Sequence, residues 1–186
     1  MSWKTVVLQA LAIAVALLAT SFSAARARIT PARAVSYRLR LYETHTNERI
    51  DVVYRRGNNY IPSAVAKLDH FLRDHRTGTV YQLSPKLFDL LHDVAGAVGR
   101  PNSEIDIICG YRTPWSNALL RSTSQGVALH SLHMEGEAID IRIPGVPTAK
   151  LRDAALRLHR GGVGYYPVSN FVHVDVGRVR RWQYPQ

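Results

Sequence analysis

The chain has 186 residues, a formal net charge of +10, 46% hydrophobic residues and one cysteine. A single cysteine excludes an internal disulfide, so the fold must depend on packing. The basic residues are spread along the chain and do not alternate with stacking aromatics, which argues against nucleic acid as the partner. An anionic polymer is the more plausible partner, and a solvated basic surface is an equally good explanation of the charge.

The first 27 residues have the order of a secretory signal peptide. Lys4 precedes an apolar run over residues 6–20, and small residues follow it, so cleavage is expected after Ala25 or Ala27. An uncleaved membrane anchor is the alternative, because the run is nearly long enough to span a bilayer. Residues 28–186 are then predicted to form one exported domain located in the periplasm.

The elements predicted for that domain mix helices and strands. Apolar and polar residues alternate in two segments between Tyr37 and Tyr54, on either side of a polar turn, and this pattern predicts an N-terminal hairpin. Apolar stripes predict two helices over residues 63–75 and 84–99. Later strands are predicted over residues 105–109, 138–143, 163–166 and 171–176, and helices over 116–122 and 147–159. Because helices and strands do not alternate regularly, the predicted class is α+β, with a small antiparallel sheet and flanking helices.

Two of the predicted strands carry polar residues on one face. Side-chain alternation separates Asp140 from its apolar neighbours and does the same for His173 and Asp175. His133 lies on a predicted loop seven residues before Asp140, and Gly136 allows a tight turn there. Two imidazoles and one carboxylate suit catalytic zinc with a position left for water. Spacing alone leaves open the alternative that these are hydrogen-bonded polar residues on half-exposed strands.

Ordered motifs reach across most of the chain. They are CGYRTPWSN at residues 109–117, GVA at 126–128, S-x-H-x-x-G-x-A-x-D at 131–140, GGVGYY at 161–166 and SNFVHVD at 169–175. In this order they resemble the YcbK-type murein endopeptidases, a branch of the zinc D-Ala-D-Ala carboxypeptidase and VanX-type metallopeptidases. The resemblance covers about residues 38–182 and implies the zinc D-Ala-D-Ala peptidase fold for the whole domain.

The resemblance also implies roles for individual residues. The family's ligands to a single Zn²⁺ match His133, Asp140 and His173. Arg112 matches the arginine that faces the substrate, where a guanidinium can bind a carboxylate or stabilise a developing oxyanion. Tyr111 and Asn117 are expected to shape the same substrate-binding cleft, although core packing explains Tyr111 equally well.

Two departures from the family pattern limit the implied mechanism. The VanX-type group uses a glutamate as general base three residues before the last zinc ligand, and here that position is Asn170. Asp175 is the nearest carboxylate by strand parity, so it either acts as the base or orients His173. Cys109 replaces a common serine and is expected to be a small buried side chain. His130 is not expected to be a ligand, because a fourth protein ligand would exclude water.

The function implied by the resemblance is hydrolysis of peptide cross-links in peptidoglycan. The expected partners are its stem peptides, with no nucleic acid, and with membrane contact only through an uncleaved signal segment; we expect a monomer. A D,D-carboxypeptidase that trims stem peptides is one alternative, and a non-hydrolytic peptidoglycan-binding protein on the same fold is another. The aromatic residues of the motifs and the C-terminal region are predicted to be packing residues, namely Trp115, Tyr165, Tyr166 and Trp182.

Overall fold

An eight-stranded sheet organises the residues that the computed structural model describes, 34–124 and 126–185. The strands are β1 (Ser36–Glu43), β2 (Arg49–Arg56), β3 (Asn59–Tyr60), β4 (Glu104–Cys109), β5 (Ala138–Arg142), β6 (Gly162–Tyr166), β7 (Phe171–Asp175) and β8 (Arg180–Gln183). Their order in the sheet is β3-β2-β1-β4-β5-β7-β6-β8. The predicted signal segment, residues 1–27, lies outside the described residues.

Four α-helices and one short 3₁₀ helix accompany the sheet within the described ranges. The helices are α1 (Pro62–Phe71), α2 (Pro85–Ala97), α3 (Pro114–Thr123), α4 (Thr148–Leu158) and the 3₁₀ helix Leu132–Glu135. Proline opens α1, α2 and α3, where its missing N–H costs no hydrogen bond. No helix in this part of the chain is both long enough and apolar enough to cross a membrane.

The predicted α+β class is confirmed, and the sheet is larger than the sequence indicates. Most strand pairs are antiparallel, but β1 with β4 and β6 with β8 are parallel, so the sheet is mixed. The sequence pattern does not predict β3, because a strand of two residues is too short to show an alternation of apolar and polar side chains. It misses β8 because the strand reads RRWQ and lacks apolar alternation.

The hydrophobic core lies between one face of this sheet and the helices. In the hairpin of β1 and β2, Leu39 and Leu41 point inward and are buried, as their alternation predicts. Ile139 on β5 and Val174 on β7 continue that apolar face and pair directly across the sheet. Full burial of each such side chain contributes about 1.5–3 kcal/mol. The intervening residues of β5 and β7 must therefore point to the other face, away from the helical layer.

Candidate metal centre and cleft

One row of residues crosses five neighbouring strands on that second face. Backbone pairing joins Trp182 to Gly164, Gly164 to His173, His173 to Asp140, and Asp140 to Cys109. Directly paired residues in a sheet point to the same side. The structure thus places Asp140 and His173 on one face, as strand parity predicts, and flanks them with a cysteine and a tryptophan.

Three potential ligand atoms converge at the centre of this row. Nδ1 of His173 lies 2.8 Å from Oδ1 of Asp140, and Nε2 of His133 lies 3.1 Å from the same His173 nitrogen. The third side of the triangle, from His133 Nε2 to Asp140 Oδ1, measures 3.3 Å. Ligands about 2.0–2.1 Å from a tetrahedral zinc stand roughly 3.3 Å apart. The donor set and its spacing therefore fit this ion.

A hydrogen bond on the side away from the site fixes the orientation of the His133 imidazole. His133 lies in the 3₁₀ helix, where sequence reasoning expected a loop, and Gly136 ends this helix at a φ of 67°. The His133 Nδ1 atom lies 2.8 Å from the Gly110 carbonyl oxygen. Donation to that carbonyl leaves a lone pair on Nε2, the nitrogen that faces Asp140. His133 thus approaches the site in the tautomer that a ligand requires.

Asp175 supports His173 from behind the site. Its Oδ2 atom lies 3.2 Å from His173 Nε2, so His173 turns Nδ1 toward the site. The Asp175 side chain is completely buried and also accepts hydrogen bonds from the backbone of Gly162 and Gly177 and from Arg180. Burial alone would raise the pKa of Asp175, but its hydrogen bonds with His173, Gly162 and Arg180 lower it. The geometry supports the second sequence alternative for Asp175, orientation of His173, over action as a base.

The charges at the centre are strongly coupled. Burial alone would lower the pKa of His133, but the nearby Asp140 carboxylate raises it to about 10. Burial would likewise raise the pKa of Asp140, and the two imidazoles hold it well below the usual range. The carboxylate therefore favours a positive charge at this position, which a bound cation can supply in place of a proton.

Cys109 is a further neighbour of the centre. Its thiol, His133 and Asp140 offer ligand atoms that all lie within 4.8 Å of one another. Cys109 is buried, as the sequence predicts, and Nη2 of Arg112 lies 3.4 Å from its sulfur. His133, Asp140 and His173 bring their ligand atoms within 2.8–3.3 Å of one another and match the family's ligands, which favours those three as the ligand set.

A second group of potential ligands lies elsewhere on the molecule. Glu43, His45 and His75 also bring ligand atoms within 4.8 Å. The two imidazoles stack with ring centroids 4.0 Å apart and planes 13° apart, so their edges run parallel and do not converge. Oε2 of Glu43 accepts the backbone N–H groups of His45 and Thr46. This group stabilises a turn, and we assign the functional site to the first cluster.

Arg112 borders the metal centre and is held by neighbours. It is 8% exposed, its Nη2 lies 3.9 Å from Asp140 Oδ2, and its Nη1 donates to Asn117 Oδ1 at 3.1 Å. Asn117 is buried on α3 and donates to the Ala128 carbonyl oxygen. Asn117 thus contacts the guanidinium from outside the cleft, because it is not among the described residues that line it.

Tyr111 lies behind the cleft wall. Its ring stacks on Tyr81 with centroids 4.6 Å apart and planes 4° apart, and the residue is 7% exposed. Its N–H donates to the Leu72 carbonyl oxygen. Of the two sequence interpretations, packing fits the position of Tyr111, and the expected contact with substrate does not.

A cleft of about 380 Å³ opens over the candidate ligands. Among its described lining residues, Asp140 is the only carboxylate, while Arg112 and Arg180 supply positive charge. Asn170, at the family's glutamate position, is exposed and accepts a hydrogen bond from Thr148 Oγ1. Its side chain is thus engaged outside the cleft.

Tyr166 and Trp182 also line the cleft, where sequence reasoning predicted packing residues. Both rings pack against neighbours, as predicted, and they also form part of the cleft wall, which the sequence did not indicate because the pairing of β8 with β6 is not visible in it. The glycine-rich segment before Tyr166 is the available signal, because close packing against a strand requires glycine. Trp115 is 61% exposed, and Tyr165 contacts Arg152 on the other side of β6.

Comparison with known proteins agrees with these observations. A family model described as peptidoglycan L,D-endopeptidase MepK matches residues 32–182. A probable peptidoglycan L,D-endopeptidase MepK from Haemophilus influenzae is 45% identical over 139 residues, 75% of each chain. The peptidoglycan L,D-endopeptidase MepK of Escherichia coli is 43% identical over 144 residues, 77% of this chain and 79% of its own. No solved structure matches the chain. The family match and these two relatives confirm the sequence resemblance, and the chain belongs to the peptidoglycan L,D-endopeptidase MepK family.

Proposed function

We propose that this protein is a zinc-dependent endopeptidase that hydrolyses peptide cross-links of peptidoglycan. The observation that carries the proposal is the triangle of His133 Nε2, Asp140 Oδ1 and His173 Nδ1, with sides of 2.8, 3.1 and 3.3 Å, at the floor of a cleft. Membership of the family supports the substrate class. The names of the relatives favour an L,D bond as the one that is cut.

The three residues of the triangle would hold one Zn²⁺ per chain. When bound, zinc polarises a carbonyl group and lowers the pKa of its bound water to about 7. The protein's own contribution is to fix each donor: Gly110 orients His133, and Asp175 orients His173. Such partners behind metal ligands typically change metal affinity by about 10–100-fold.

The cleft also suits an anionic peptide. Arg112 and Arg180 lie in its wall, and both guanidiniums are only partly exposed. Stem peptides carry carboxylates, which arginine recognises with directed hydrogen bonds. Arg112 has Asn117 to hold it, so we assign it the role of anchoring a substrate carboxylate or stabilising charge on the scissile carbonyl.

The proposed setting is the periplasm. The predicted signal segment, residues 1–27, would direct export, with cleavage after Ala25 or Ala27. We propose that the exported protein acts as a monomer on stem peptides. Membrane contact would be limited to the signal segment where it is retained.

Digestion of purified cross-linked murein tests the proposal. The zinc-loaded protein should convert dimeric muropeptides to monomers, a chelator should abolish the conversion, and added zinc should restore it. His133→Ala should be inactive at the same protein concentration, and intact activity of that variant would refute the assignment. Release of free D-Ala alone would indicate a carboxypeptidase. Tight murein binding without turnover by fully zinc-loaded protein would indicate a binding protein.

A further inference from the structure

The Tyr166 hydroxyl occupies a distinctive position in the cleft wall. Tyr166 is the last residue of β6 and lies two residues after Gly164, so both face the side of the sheet that carries His173. Tyr165, between them, points to the opposite side, where Arg152 lies over its ring at 4.5 Å. The cleft wall that contains Tyr166 also contains Arg112 and Asp140.

The contact with Trp182 makes the Tyr166 oxygen a hydrogen-bond acceptor. Its Nε1–H donates to the Tyr166 oxygen at 3.0 Å. An indole nitrogen can only donate, so the tyrosine oxygen accepts and its own hydrogen remains available. Among the described residues, Trp182 is the one hydrogen-bond partner of this hydroxyl. No acceptor for this O–H group is found in the part of the chain that the structure describes, so within those residues the donor is not used.

Packing holds both aromatic rings in place. A Cβ atom on Gly164 would lie 2.5 Å from the Trp182 ring, so only glycine lets the indole lie flat on β6. The indole also packs beside His173, with ring centroids 5.1 Å apart. Phe171 stacks on Tyr166 at 4.3 Å with planes 16° apart. A donor held this rigidly needs little reorganisation during a reaction.

The hydroxyl remains protonated at neutral pH. Burial raises the pKa of Tyr166, the Asp140 carboxylate raises it further, and the opposing effects of Trp182 and Arg112 do not reverse the shift. A neutral phenol can donate a hydrogen bond to an oxygen on which negative charge develops.

We propose that Tyr166 is a catalytic residue whose hydroxyl donates a hydrogen bond to the scissile carbonyl oxygen, and that Trp182 is the positioning residue for it. This inference rests on the proposed peptidoglycan hydrolysis. Water oxygen bonds to the carbonyl carbon, the C–N bond breaks, and the leaving nitrogen gains a proton that originates from water. Tyr166 keeps its own proton and only stabilises the charge that develops on the carbonyl oxygen.

The test compares Tyr166→Phe with the matched control Tyr165→Phe on a purified cross-linked muropeptide. Phenylalanine retains the stack on Phe171 and removes only the hydroxyl, so zinc content should not change, and melting temperature should fall only slightly because the hydrogen bond from Trp182 is lost. For Tyr166→Phe we expect kcat to fall about 100-fold, in the range seen when an oxyanion donor is removed, with KM within about twofold. Tyr165→Phe should behave like the wild type.

Two further measurements separate catalysis from structure. Tyr166→Phe should weaken binding of a phosphinate analogue of the cleaved bond and leave affinity for the product peptide unchanged. Trp182→Phe should lower kcat about tenfold, and its effect should largely disappear in the Tyr166→Phe background, because coupled residues are not additive.

Unchanged kcat in Tyr166→Phe, or a loss confined to KM, would overturn the catalytic role of Tyr166 while leaving the proposed function intact. Failure of the zinc-loaded wild type and of Tyr165→Phe to cut the muropeptide would instead refute the proposed function.

Discussion

Asp140 and His173 are direct partners across β5 and β7, and the same pair supplies the shortest contact of the candidate metal centre, 2.8 Å. A sheet pairing thus sets the distance between two proposed ligands. Because both strands carry core residues on their other face, core packing holds the two strands, and with them the two proposed ligands, at this spacing. The consequences can be tested residue by residue.

Asp140→Asn should remove zinc while preserving side-chain size. A neutral amide does not supply the negative charge that Asp140 gives the site. Loss of a residue that hydrogen-bonds to a metal ligand typically lowers metal affinity by up to about 100-fold, and we expect zinc affinity to fall further than this when a ligand itself is changed. Metal analysis after dialysis and murein digestion measure the effect. Cys109→Ser serves as the matched comparison and should retain zinc and activity. Zinc loss in Cys109→Ser together with zinc retention in His173→Ala would instead identify Cys109, His133 and Asp140 as the ligands.

Asp175→Asn should weaken zinc binding without removing a proposed ligand. The amide cannot accept all the hydrogen bonds that Asp175 receives from Gly162, Gly177 and Arg180, and it no longer favours the His173 orientation. We expect about 10–100-fold weaker zinc affinity together with a lower melting temperature. Competition titration with a zinc chelator provides the measurement. Asp153→Asn, at an exposed position, is the control and should change neither property.

Gly161→Ala should destabilise the protein and disturb the centre. A Cβ atom at this position would lie 1.8 Å from the Asp175 carbonyl oxygen, a backbone atom that cannot move without shifting β7. Overpacking of this kind costs about 1–3 kcal/mol or more. Gly96→Ala, in the exposed part of α2 with open space around it, should instead stabilise the protein by about 0.5–1 kcal/mol. Equal effects of the two variants in denaturant unfolding would contradict the clash.

Asp74→Asn should loosen the segment that carries Arg112. The buried Asp74 carboxylate accepts both the backbone N–H and the hydroxyl of Thr113, at 2.8 and 2.7 Å. Losing this charge-assisted pair should cost about 1–3 kcal/mol of unfolding free energy. KM should rise as Arg112 loses its fixed position.

The same substitution should also change how the free energy of unfolding depends on pH under acidic conditions. Burial alone would raise the pKa of Asp74, but the hydrogen bonds that it accepts lower it to about 2. A depressed carboxyl pKa stabilises the folded state above the pKa of the unfolded chain, and this stability is lost as pH falls toward about 2. Unfolding measured between about pH 5 and about pH 2 should therefore depend less on pH in Asp74→Asn than in the wild type. An identical pH dependence would show that Asp74 is not the titrating group.

Strand parity was enough to place Asp140 and His173 together, because a period of two residues is a local property of the sequence. The row from Trp182 to Cys109 could not be predicted, since it needs the order and register of five strands. Local patterns carry no information about a parallel neighbour such as β8. Likewise, the motif predicted that Asn117 shapes the substrate cleft, but only the structure shows that its side chain accepts a hydrogen bond from Arg112.

The order of the strands along the chain affects when the cleft can form. β8 is the last strand of the described sheet, yet it supplies Arg180 and Trp182 to the cleft wall. Under the proposed export, residues that follow the signal segment would cross the membrane first, so the proposed metal ligands would emerge before this wall exists. A partly translocated protein would thus have an incomplete cleft, and full activity would require that β8 has joined β6.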